Sequence, residues 1–90
     1  MGTVNAFSIP GIRCWFYSHD HNPPHFHAKR NGEWQLKVKF VLPDNEMIES
    51  EWKKKAILGK HQRLLIEVAK KHRDKLLKEW ENTVKVKDDD

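Results

Sequence analysis

Four histidines fall within nine residues: His19, His21, His25 and His27, in the run Tyr17-Ser18-His19-Asp20-His21-Asn22-Pro23-Pro24-His25-Phe26-His27. Histidine titrates near neutral pH and is the commonest metal ligand. A cluster on a stiff Pro-Pro loop is therefore the first place to expect chemistry. His25 and His27 are one residue apart, so on a strand they point to one face. Such a pair presents two imidazoles to one metal ion. His21 is a candidate third ligand, and Asp20 is either a fourth or an acceptor that orients an imidazole. Three protein ligands plus a water is the layout of catalytic zinc, so the cofactor this spacing points to is a divalent, zinc-like ion. No cofactor is certain on spacing alone, because no helical His-Glu-x-x-His and no cysteine pair accompanies the cluster.

The same residues allow metal-free chemistry. Lys29 shares the parity of His25 and His27, and Arg30 stands beside it. Two histidines as general base and acid, with a cation on phosphate, suffice in principle to cleave RNA through its 2′-hydroxyl. His25, His27 and Lys29 are the catalytic candidates on that reading. Arg30, Lys53 and Lys54 are candidate phosphate contacts. A third reading leaves the histidines structural, bonding loop carbonyls and shaping a surface for a protein partner. His19 stands at the start of the loop and is the weakest member of the group.

The elements that must position these residues follow from periodicity. Gly11 to Ser18 alternates Ile12, Cys14 and Phe16 with Arg13, Trp15 and Tyr17, a strand pattern. Asp20 to Pro24 is a loop, because consecutive prolines cannot pair in a ladder. Phe26 to Arg30 is a short second strand. Asn31-Gly32 signals a two-residue hairpin with a primed turn. Trp34 to Leu42 is a third strand, with Trp34, Leu36, Val38, Phe40 and Leu42 on one face. Glu46 to Lys53 is a weakly patterned fourth.

From about Ala56 to Glu81 the period becomes helical. Leu65, Val68, Ala69, Leu76 and Trp80 share one face. The phase permits one long helix, or two with a break near Lys71-His72-Arg73 and Asp74 as a cap. The expected architecture is α+β: a small antiparallel sheet of three to four strands, then a C-terminal helix, kinked or split, laid on the Trp34-to-Leu42 face. Residues 1–83 form one domain, and 84–90 read as a disordered, acidic-ended tail.

Bulk properties narrow the function classes. The chain has 90 residues, one cysteine and a net charge of +4. Cys14 cannot form an internal disulfide or a cysteine-based zinc motif, and it reads as buried filler. There is no apolar run long enough to span a bilayer and no leader pattern, so a cytoplasmic protein with no membrane role is expected. Residues 1–50 carry five Lys/Arg and five Asp/Glu, while 51–90 carry twelve and eight. That basic surplus suits an acidic partner or a solvated helix face. His61 and His72 lie about three helical turns apart and would join the cluster only if the helix crossed it. The oligomeric state is not written in the sequence.

The run Tyr17-Ser18-x-Asp20-His21-x-Pro23-Pro24-His25-Phe26-His27 resembles that of the small bacterial proteins grouped as domain of unknown function 4160. The opening Met1-Gly2-Thr3-Val4 and the helix run Arg73-x-x-Leu76-Leu77-x-x-Trp80 are also similar to that family's. Such proteins are often encoded beside a second small protein, in the manner of toxin–antitoxin pairs. The resemblance therefore implies a small, antitoxin-like protein partner and a toxin-like activity. It marks His21, Pro23, Pro24, His25 and His27 as the signature positions.

Overall fold

A computed structural model describes residues 2–86. Its elements in chain order are β1 Gly2–Thr3, β2 Arg13–Phe16, β3 His19–Asp20, β4 Phe26–Arg30, β5 Trp34–Val38, α1 Asp44–Met47, β6 Ile48–Lys53, α2 Gly59–Lys71, α3 Arg73–Thr83 and β7 Lys85–Val86. Five strands make one antiparallel sheet in the order β1-β2-β4-β5-β6. The fold is α+β, as the sequence pattern predicts, with β1 as a strand beyond the three to four expected. β3 and β7 form a separate parallel pair.

One face of the sheet is the core. Trp34, Leu36 and Val38 of β5 pair with Arg30, Ala28 and Phe26 of β4, and all of these apolar side chains are fully buried. Phe40 continues the burial past the end of β5, where the Lys39 N–H bonds to Met47 O at 2.7 Å. Leu65 and Ala69 of α2 and Leu76 and Trp80 of α3 close the core from above. The period-2 and period-3.6 patterns thus meet on one interface, which is what makes the layers stick.

The helical stretch is split, and the break lies at His72 (φ −108°, ψ 19°). The expected cap, Asp74, instead sits inside the first turn of α3, and His72 makes no side-chain cap bond. The hairpin after β4 also differs from expectation. Only Gly32 has positive φ (+74°), whereas a two-residue primed turn of the Asn-Gly kind needs it at both central residues. The ladder closes at Arg30↔Trp34, leaving a three-residue loop held by the Glu33 N–H on Arg30 O at 3.0 Å.

The segment read as a tail begins inside the packed unit. Val84 is buried, and the Lys85 N–H bonds to Ser18 O at 2.8 Å as β7 pairs with β3. The pairing and the burial of Val84 tie residues 84–86 down, whereas a frayed end is left free. Asp88, Asp89 and Asp90 lie outside the described residues. No described helix is long and apolar enough to cross a membrane.

Candidate metal centre on the open sheet face

Among the described residues, the sheet's other face carries no helix. Directly paired residues share a face, so Trp15, His27, Lys37 and Glu49 form one row across β2, β4, β5 and β6. Arg13, Lys29, Gln35 and Trp52 form the next. His27 is therefore turned away from the apolar core, yet it is buried, because Trp15 stacks on it at 5.6 Å and Tyr17 packs edge-on at 4.5 Å. His25 precedes β4 and is buried too, with Trp80 at 5.3 Å and His27 at 5.0 Å between ring centroids.

Each imidazole is fixed through Nδ1. His25 Nδ1 lies 2.8 Å from Pro23 O, in the loop whose Asn22–Pro23 bond is cis. A carbonyl only accepts, so this nitrogen must carry the proton and donate. His27 Nδ1 lies 2.6 Å from Glu51 Oε1, and an ionised carboxylate likewise only accepts. In the neutral ring, both Nε2 atoms are then lone-pair donors. Both converge on one oxygen, Asp20 Oδ2, at 2.9 Å from His25 and 3.1 Å from His27. His27 Nε2 is in line for a hydrogen bond to it, which that nitrogen donates when the ring carries both protons and replaces by a lone pair when the ring is neutral. His25 Nε2 is close and misaligned, leaving a buried nitrogen without a hydrogen-bond partner.

The electrostatics suit a cation. Burial holds the His25 imidazole below its ordinary 6.5, against the opposing pull of the Pro23 carbonyl and the Asp20 charge. A neutral His25 places its lone pair against a carboxylate. For Asp20, burial pushes the carboxyl up. The hydrogen bonds from His27 and from the His21 N–H, with the charges of His25 and His27, outweigh burial and hold it below its ordinary 3.8.

One donor atom from each of Asp20, His25 and His27 lies within 4.8 Å of the others. These residues would hold a zinc-like ion through two imidazole nitrogens and one carboxylate oxygen, a donor set that suits zinc. Glu51 and Pro23 O then occupy the outer positions that usually orient metal-bound histidines.

His21 is exposed; its N–H donates to Asp20 Oδ1 at 2.9 Å, and its ring is not part of the convergent group. His19 is exposed beside Ser18, with 3.4 Å between Nδ1 and Oγ. Lys29 shares the face of His27 as its parity requires, with Nζ 5.9 Å from the centre of the Trp52 ring. Arg30 faces the helices instead, donating from Nε to Glu33 Oε2 at 2.8 Å. Lys53 lies opposite Trp34, and the Lys54 N–H bonds to Glu33 O, so both sit by the far hairpin. That end is four residues along the strand from Phe26, about 13 Å.

Arg30, Lys53 and Lys54 are thus not brought to the histidines. His61 lies near Trp34 and His72 near Phe7, both on the core side. Cys14 lines a groove of about 590 Å³ between residues 3–9 and β2, and burial pushes its thiol up to about 12, which leaves it inert near neutral pH. None of the cluster's histidines lines that groove.

The family described as domain of unknown function (DUF4160) matches residues 11–81. The chain belongs to it. No curated protein and no solved structure matches the chain. The DUF4160 match spans β2 through most of α3, so it includes all three convergent donors and Glu51. It leaves out β7, which holds β3 and Asp20 in place.

Proposed function

We propose that this protein binds one divalent, zinc-like ion through Asp20, His25 and His27. The observation that carries the reading is the convergence of two Nδ1-anchored imidazoles on Asp20 Oδ2 at 2.9 and 3.1 Å. Histidines that merely shaped a loop would have no need to bring two lone pairs to one carboxylate. Metal-free acid–base catalysis wants one protonated and one neutral imidazole aimed at separate substrate atoms. Here both rings present the same nitrogen to the same oxygen, which favours ligation. An ion held there supplies Lewis-acid chemistry, polarising a phosphoryl or carbonyl oxygen.

The decisive measurement is the metal content of tag-free protein, by elemental analysis. About one equivalent is expected in the wild type and almost none in His25→Ala/His27→Ala. A folded wild-type protein that neither carries metal nor responds to added zinc, nickel or manganese overturns the reading. The cellular setting implied by the resemblance, a toxin-like module held by a small protein partner, joins this proposal. Expression should then arrest growth, and arrest that survives in the folded double variant rejects the metal centre as its cause.

A further inference from the structure

The row of residues beside the proposed metal centre differs from an ordinary solvated sheet face. Arg13 on β2, Lys29 on β4, Gln35 on β5 and Trp52 on β6 lie in one cross-strand line on the helix-free face. Four strands at about 4.8 Å spacing make the line about 14 Å long. Among the described residues its cations have no carboxylate partner: Arg13 makes no ion pair, and Lys29 makes none and lies over the Trp52 ring. Lys37 of the next row and Lys39 just past the end of β5 share one carboxylate, Glu49, at 3.5 and 3.1 Å.

Two large rings are exposed on this same face, Trp52 at 36% and Tyr17 at 40%. Trp52 owes its orientation to a bulge. Gln35 pairs with Trp52 and Leu36 with Ser50, so Glu51 is the extra residue, and both Glu51 and Trp52 turn to the open face.

We infer that this face is a binding platform for single-stranded nucleic acid, the substrate class of the proposed metal centre. Cations with no ion pair among the described residues meet phosphates, and exposed rings stack on bases that a duplex would keep hidden. A line of about 14 Å accommodates two or three nucleotides, the number a comparable sheet platform stacks. Lys29 stands two residues from His27, about 7 Å along the strand, so a phosphate on Lys29 has its neighbour near Asp20, His25 and His27. An acidic peptide would satisfy Arg13 and Lys29 but gives no use to Trp52 and Tyr17. The chemistry rests on the metal-centre reading; the binding does not.

The test is fluorescence anisotropy with a labelled single-stranded decamer, as RNA and as DNA, against the full chain. Binding that weakens with salt is expected. Arg13→Gln/Lys29→Gln should weaken it about tenfold or more, and should lower the salt slope by about 1.4, since each phosphate no longer neutralised takes away about 0.7. Trp52→Ala should weaken it roughly 5- to 100-fold, because a base then has no ring to stack on. Lys71→Gln/Lys78→Gln, on the outer helix surface, should leave it unchanged. The platform is overturned by no binding from the folded wild type. It is also overturned by equal weakening in the helix variant, or by polyglutamate competing as well as unlabelled decamer. Zinc content measured on the same preparations separates the two readings: retained zinc without oligonucleotide binding rejects the platform alone.

Discussion

His27 and Glu51 are joined across the sheet, Nδ1 to Oε1 at 2.6 Å, although 24 residues separate them. Alternation from Glu49, which pairs with Lys37, puts Glu51 on the open face beside His27, and the β6 bulge leaves it unpaired there. A regular strand would turn the next residue, Trp52, to the core face. The bulge re-aims it, as bulges beside functional sites often do.

Glu51→Gln should therefore weaken zinc binding about 10- to 100-fold, the usual cost of losing an outer partner of a metal-bound histidine. Gln keeps the shape but accepts more weakly and removes the charge. Titration calorimetry with zinc reads the change, and circular dichroism should show the fold intact. Unchanged affinity would make Glu51 an ordinary surface carboxylate.

Asp20 depends on the C-terminal strand. It lies in β3 opposite Val86, and the Lys85 N–H holds Ser18 O at 2.8 Å. Lys85→Pro removes that donor. The stability loss should be about 0.5–1.5 kcal/mol, one hydrogen bond's worth. Zinc affinity should fall several-fold besides, because Asp20 loses its fixed position. A variant with a lowered melting temperature but wild-type zinc affinity would show that β7 does not position the carboxylate.

These two supports show where the sequence was legible and where it was not. Trp34 to Phe40 announced its buried face because every second side chain meets the helices. His25 and His27 announced their convergence because residues two apart in extended chain share a face, although His25 falls just before β4. Glu51 was hidden, since the register that sets it beside His27 comes from strand pairing and leaves no local sign. β7 was hidden for a different reason. Two residues ending in a charged run carry no pattern, and Lys85–Val86 becomes a strand only because β3 is there to pair with. Arg30 misled as a phosphate contact because its parity places it with Ala28, toward the core side, where Glu33 takes it.

The metal-free protein should lose stability as pH falls below about 6.5. Burial holds His25 below that value when folded, so between the two values the unfolded chain binds a proton that the folded one does not. Stability is then present above 6.5 and declines as pH drops toward the folded value. Asp20, held below 3.8, adds a second loss of the same sign in a more acid window. Asp20, His27 and Lys37 are the charged or titratable groups acting on His25. His61 is also held low, by burial, Arg30 and Lys60, and adds to the first window. Urea midpoints of the chelator-treated protein between pH 8 and 5 should fall, and His25→Asn should flatten the fall, more so with His61→Asn. An undiminished slope in the double variant would place the titration elsewhere.

Trp80 links core and site. It is buried, with Phe16 at 6.3 Å on one side and His25 at 5.3 Å on the other. Trp80→Ala should cost about 3–5 kcal/mol through the cavity it leaves. A chain of this size has roughly 5–13 kcal/mol in total, so little remains at 37 °C. Zinc at 100 times its Kd returns about 2.7 kcal/mol, which should raise the melting temperature of the wild type by roughly 10–20 °C. Trp80→Phe is the gentler variant. It should stay folded, melt several degrees lower, and bind zinc a few-fold more weakly, because the ring that backs His25 has shrunk. Full zinc affinity in a destabilised Trp80→Phe protein would confine Trp80 to the core and leave His25 held by the Pro23 carbonyl alone.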